Sequence, residues 1–483
     1  VTLFTGARPE VHGFYGPQHF YPDDYSISMD LQSGFRKTPP FFDLGNDVDV
    51  LTFDLPLCPI LPQRSYTQIV DWGNHGFAVG GSSNPPEAWD DLISKVGLHP
   101  EHGIDYALLG SQKSCTDLFE RQLKGIELRS RATRYLMDKY PWDLAMTATS
   151  ESHTGPHYLL PHPGNQSFHE TLNGRDPVQE IYTGIDTYIG DLIDHAGPDT
   201  EVLIASIEGM TTNHSEVPNI AYLPEILFRY SFPGKRAFNY DRAVPPLPDG
   251  TPNEVLNNWV VQTSRHAIPP GRFQKMLRDT FNESTAMKIE RLLNLKGAPF
   301  KPESRPSMNY QPNVWIQPYW PYMRAFSLPT YSDGFIRLNV KGREAHGVIE
   351  PSEFPAEIQR ISQMLQSYLC EDTDAPAVDR IEVIRTHPDE NPERSPADLI
   401  VFWKDHPVNS IVSDDFGKIG PLPSMRAGVH NDNAFVFGCG PRLSKSGFRT
   451  GGHIIDLAPT VIDLLGRKPM SRLSGSSLLA SNS

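Results

Sequence analysis

No run in this chain approaches the ~18 consecutive apolar residues that a membrane span needs. The longest, such as Leu399-Ile400-Val401-Phe402-Trp403, have the length of a buried strand. No secretory signal is visible in a chain that opens at Val1. Basic charge is in deficit: 43 Lys and Arg against 58 Asp and Glu leave a formal net charge of -15. That argues against a nucleic-acid polymer as partner, since phosphate backbones are bound through basic surface. It leaves a small anionic ester possible, because a local metal or arginine cluster can override the field of the whole molecule. Cysteine is scarce: Cys58, Cys115, Cys370 and Cys439 are scattered, with no Cys-x-x-Cys pair. They read as four buried thiols and not as a disulfide framework, which points to the cytoplasm.

What is present is globular. Hydrophobic residues are 38% and aromatics 10%, and 45 Pro with 37 Gly imply much ordered loop between short elements. Asp176-Pro177 opens a helix as an N-cap followed by Pro should, and Val178, Ile181, Tyr182, Ile185, Ile189 and Leu192 keep one apolar stripe. Gly197-Pro198 stops it before a strand at Val202 to Ala205. A helix from Asp117 to Leu136 feeds a strand at Trp142 to Thr149, and a helix over 354–370 precedes a strand near Ile381 to Ile384. Helix followed by apolar strand, repeated, predicts an α/β fold with a mostly parallel central sheet covered by helices on both faces. Residues 1–234 and 331–475 are expected to build that core around one sheet. The Pro- and aromatic-rich stretch 235–330 is read as an insertion or cap, and 476–483 as a flexible tail.

In such a sheet, ligands bind where loops leave the carboxyl ends of strands. After the first strand comes the polar loop Thr149-Ser150-Glu151-Ser152-His153-Thr154-Gly155-Pro156-His157. Two histidines at i and i+4 with a carboxylate just before them form a metal-ligand pattern, because imidazole and carboxylate together suit Zn²⁺ or a similar ion. His162 and His169 thicken the cluster. The strand at 202–205 runs into Ser206-Ile207-Glu208-Gly209-Met210, with His214 beyond, so Glu208 is a second candidate ligand. Gly428-Val429-His430-Asn431 leads into a strand at 434–438 and offers His430. Trp72, Gly73 and His75 form a further polar turn, and Ile336 to Glu344 alternates two arginines and a lysine. Taken singly, each is also what a solvated turn or sheet face looks like.

Together and in this order they resemble a known pattern. Thr5-Gly6-x-x-Pro9-x-x-His12-Gly13 resembles the TGxxPxxHG segment that follows the nucleophile in type I phosphodiesterases and nucleotide pyrophosphatases, of the alkaline phosphatase superfamily. Ser206 to Met210 resembles that family's SDHGM strand end, Gly428-Val429-His430 its TGxH motif, and Asp456-Leu457-Ala458-Pro459-Thr460 with Leu464-Leu465-Gly466 its DIAPTLLDLLG helix. The Glu-x-His-x-x-Gly-His loop and Gly342-Arg343-Glu344 are similar to a bacterial phosphohydrolase or phosphomutase subgroup.

The resemblance implies hydrolysis of a phosphate mono- or diester by two divalent ions, usually zinc, with manganese possible. His157 and His430 match first-metal ligands, and Glu151 and His153 compete for the acidic position beside them. The Asp-His pair of the second metal is Ile207-Glu208 here, so that site is expected to be weak, with Glu208 its remaining ligand. Arg343, His75 and His214 are candidate substrate-binding residues. The nucleophile is expected upstream of Val1, so the polypeptide from Val1 is expected to be inactive as given. Two alternatives stand beside this reading: a pseudoenzyme of the same fold that binds a phosphorylated ligand or a protein partner, and a phosphonate or sulfate ester hydrolase.

Overall fold

The computed structural model describes residues 1–63, 65–73, 80–103, 112–162, 165–237, 272–281, 283–293, 311–390, 395–406, 408–422, 424, 426–449, 451–468 and 470–480. Its central sheet has the strand order Ser82–Asn84, Tyr66–Val70, Val50–Phe53, Leu144–Thr147. The last three run parallel, and Ser82–Asn84 joins as an antiparallel edge. Every residue of Val50–Phe53 and Tyr66–Val70 is buried, as strands covered on both faces must be. Side chains alternate between those faces. Leu51, Phe53 and Ile69 pack on helices Glu87–Val96 and Gln112–Lys139 through Ala88, Leu92, Leu128, Ala132 and Leu136. Val50 and Tyr66 meet Phe4 of helix Thr2–Thr5 and Ala458 and Ile462 of helix Leu457–Leu464. The chain is therefore α/β, with helices on both faces and its two ends packed on the same side.

One helix starts where a side-chain cap puts it. Asp176 accepts hydrogen bonds from Val178 N and Gln179 N (2.9 and 3.1 Å), and helix Pro177–Ala196 runs to Gly197. Its Ile181, Ile185 and Tyr188 bury against Leu118 and Ile126 of Gln112–Lys139 and Leu159 of Glu151–Leu159. These three helices form one packed layer behind the end of strand Leu144–Thr147.

The second half differs from the expected single sheet. Strand Val202–Ser206 pairs antiparallel with Phe435–Cys439, and Gly209–Thr212 pairs antiparallel with Gly428–Asn431. Strands Val378–Val383, Leu399–Trp403, Gly334–Leu338 and Ala325–Leu328 form a separate antiparallel sheet. It shares a core with helices Leu223–Ser231 and Phe354–Gln366 and with Trp320. Helix–strand alternation over 354–384 looks the same for either arrangement. What separates them is strand Val378–Val383, most of whose residues are exposed or half-buried, which an antiparallel sheet tolerates and a covered parallel one does not.

The expected tail is tied down as far as Ala480: Leu478 is buried and its N–H donates to Thr460 Oγ1 (2.8 Å). Most of 235–330, including Pro245-Pro246 and Pro269-Pro270, lies outside the described residues. Cys58, Cys115, Cys370 and Cys439 are free thiols, the first three buried. No described helix is long and apolar enough to cross a membrane.

Candidate metal centre

The segment read as a polar loop is a helix, Glu151–Leu159, with Pro156 inside it. The i, i+4 spacing then puts His153 and His157 on one face, one above the other. His430 comes from strand Gly428–Asn431, where it pairs with Met210. One ligand atom from each of His153, His157 and His430 lies within 4.8 Å of the other two. The ring centroids are 4.7 to 4.8 Å apart. Nitrogens on a tetrahedral zinc, each at ~2.0–2.1 Å, sit roughly 3.3 Å from one another, so a small contraction would close the triad on an ion.

His157 carries the most telling detail. Its Nδ1 donates to the Gly428 carbonyl (2.7 Å), which leaves the lone pair on Nε2. That Nε2 is buried and has no hydrogen-bond partner. Burial, then Arg426, His153 and His430, push the imidazole well below the usual histidine range, so the ring is neutral, the form that ligates. Gly428 makes the contact possible: a Cβ there would stand 2.5 Å from the Pro156 carbonyl oxygen. Across the triad, Glu208 Oε2 lies 2.9 Å from His430 Nδ1, the carboxylate–histidine pairing that orients a metal-binding ring. Donor chemistry and geometry both fit a divalent cation.

The other expected residues lie elsewhere. Glu151 is not in the triad: its carboxylate takes Arg129 Nε on both oxygens (3.1 Å each) and His99 Nε2 on one (3.0 Å). Burial alone would raise its pKa, but Arg129 and His99 outweigh burial and hold it at about 2. His162 and His169 are outside the group. His214 Nδ1 faces Asp405 Oδ1 at 3.2 Å. Arg343 is held by Asp398 and Glu344 in the antiparallel unit. His75 lies outside the described residues. Sequence reasoning missed Asp54, His99, Arg129 and Arg426. Asp54 could have been found, since a carboxylate just after a buried strand is the signal that singled out Glu208. The other three carry no local signal.

The sequence matches the family described as type I phosphodiesterase / nucleotide pyrophosphatase over residues 1–276. No curated protein matches it. Among solved structures, the phosphonoacetate hydrolase from Sinorhizobium meliloti 1021 in complex with phosphonoformate is 15% identical, with a TM-score of 0.35 and coverage of 90% of this chain and 76% of that one. Its complex with phosphonoacetate gives 14% identity at the same TM-score and coverage. A multiply substituted mutant of alkaline phosphatase PafA is 11% identical, with a TM-score of 0.28 and coverage of 86% and 59%. Matched from Val1 to Met276, over more than half its length, the chain belongs to the type I phosphodiesterase / nucleotide pyrophosphatase family.

Proposed function

We propose that this protein hydrolyses a small anionic phosphate ester, a mono- or diester, using a divalent ion, zinc or manganese, held by His153, His157 and His430. One observation carries the reading: the buried, partnerless Nε2 of His157 inside a triad that joins His153 and His157 to His430, more than 250 residues further along the chain. A buried polar atom without a partner costs about 1–3 kcal/mol, and a cation accepting its lone pair removes that cost. A bound ion supplies Lewis-acid stabilisation of charge on a phosphoryl group.

The chain's own residues prepare the place. The Gly428 carbonyl fixes the His157 tautomer, and Glu208 orients His430. Three neutral imidazoles and one carboxylate leave a dication with net positive charge, which suits an anionic ester. A second ion would have Glu208 as its ligand and bind more weakly, because Ile207 offers no donor. Substrate choice would come from residues 235–330. A second reading, a non-catalytic relative that binds a phosphorylated ligand, is favoured by that same Ile207, an apolar side chain 41% exposed beside the centre.

The test uses the natural protein, stripped by chelator and titrated with zinc or manganese, then assayed on aryl phosphate mono- and diesters. Ion binding and ion-dependent turnover, both lost in His157→Ala, are expected. Turnover untouched by His157→Ala would overturn the assignment. A bound ion with no turnover on any ester would favour the second reading.

A further inference from the structure

We infer that Arg129, Glu151, Asp54 and His99 form a positioning unit that sets the first turn of helix Glu151–Leu159 and so aims His153 and His157. The inference rests on the triad being an ion site. All four side chains are buried. Arg129 reaches the residues that decide where this helix departs: Nη1 donates to the Ala148 carbonyl (2.7 Å), Nη2 to Ser150 Oγ (3.0 Å) and Nε to the Glu151 carboxylate. Its Nη1 also donates to Asp54 Oδ2 (2.8 Å), at the end of central strand Val50–Phe53. Asp54 in turn accepts the Trp72 and Gly73 N–H groups (2.9 and 3.0 Å). His99 Nδ1 accepts the Glu101 N–H, so its Nε2 carries the proton and donates to Glu151. The helix is thus pinned at its first residue to the central strand, to the long helix and to two loops.

Two features point to geometry as the purpose. A buried ionic cluster adds little net stability compared with apolar packing of the same volume. This one also has no slack. A Cβ on Gly73 would fall 2.6 Å from Asp54 Oδ2 and 2.7 Å from Arg129 Nη2, and one on Gly125 would fall 2.2 Å from His99 Nε2. The Arg129 guanidinium is further clamped over the rings of Trp72 (5.3 Å) and Phe53 (5.7 Å). His153 and His157 lie two and six residues past Glu151 on a rigid helix, so a small rotation at Glu151 displaces both. Losing the supporting partners of metal ligands typically costs ~10–100-fold in metal affinity.

The experiment is a cobalt(II) titration of the natural protein, reading affinity and the visible d–d spectrum. Variants are Glu151→Asp, Arg129→Lys and, as a steric disturbance of the same cage, Gly125→Ala, each checked for folding by circular dichroism. The control is Ile361→Val, which loosens the antiparallel unit far from the cage. Expected are a roughly 10-fold or greater loss of cobalt affinity and an altered spectrum in every folded cage variant, with the control unchanged. Folded cage variants that bind cobalt within twofold of wild type, with the wild-type spectrum, would overturn the positioning role alone. Wild-type protein that binds no cobalt would sink the ion-site reading and this inference with it.

Discussion

Arg343 shows how much a single residue's neighbours decide. In a Gly-Arg-Glu run it looks like an anion clamp, yet Nη1 and Nη2 donate to Asp398 (2.8 and 2.7 Å) and Nε to Glu344 (3.0 Å), both fully buried carboxylates. Arg343→Ala should therefore cost stability, about 3 kcal/mol by urea unfolding, because it strips buried acids of a partner. KM should stay within about twofold. A KM raised tenfold at unchanged stability would return Arg343 to a substrate role. Glu208 should behave in the opposite way. Its side chain is 44% exposed and touches His430, so Glu208→Ala should leave stability within about 0.5 kcal/mol. Ion affinity should fall ~10–100-fold, read by metal titration. Ile207→Asp with Glu208→His should raise occupancy of a second ion, measured as metal per protein; no increase would count against a vacant second set of ligands there.

At the scale of elements, the centre depends on how closely helix Glu151–Leu159 approaches strand Gly428–Asn431. Gly428→Ala would place its Cβ against a backbone oxygen, Pro156 O, which cannot swing aside. Helix and strand must then separate, stretching the His157–Gly428 hydrogen bond, at about 1–3 kcal/mol for an overpacked contact, with a loss of ion affinity. Gly155→Ala is the useful comparison. Its Cβ would meet only Ile181 Cδ1 at 2.6 Å, the mobile end of a side chain. It should cost less and spare ion binding. Equal losses in the two variants would show that the approach of this strand is not what sets the triad. Most of these elements were legible in advance: the Asp176 cap, the Gly197 stop and the apolar runs at Leu399–Trp403 and Val202–Ser206 all fall within the expected segments. The site helix was not, because Gly155-Pro156 and a polar composition read locally as a loop.

For the whole molecule, buried histidines predict acid sensitivity. Burial pushes the His12 imidazole below the usual histidine range. Burial also lowers His99, despite the opposing pull of Glu151. A histidine whose folded pKa lies below its unfolded value keeps the folded state neutral while the unfolded chain takes up the proton. Stability is then full above pH ~6.5 and falls as the pH drops towards the folded value, at up to ~1.4 kcal/mol per pH unit for each histidine. Glu151 works in a lower window: its depressed pKa contributes stability above its ordinary carboxylate value that is lost as the pH falls towards about 2. Urea midpoints of the metal-free protein should therefore drop steadily from pH 6.5 to pH 4, and His12→Gln should flatten that slope. A midpoint independent of pH across this window would contradict the burial of these rings.

By itself, the sequence determined the α/β class, the cap and apolar stripe of helix Pro177–Ala196 and the family, because these depend on residues a few positions apart or on motifs kept in order. Only the tertiary structure decided that His153 and not Glu151 joins His157 and His430, that the second half pairs antiparallel, and that Arg343 is held by Asp398 and Glu344. The reason is register. His430 reaches the centre because it pairs with Met210, over two hundred residues away. A slip of one residue would turn its ring to the other face, and no local pattern encodes that choice.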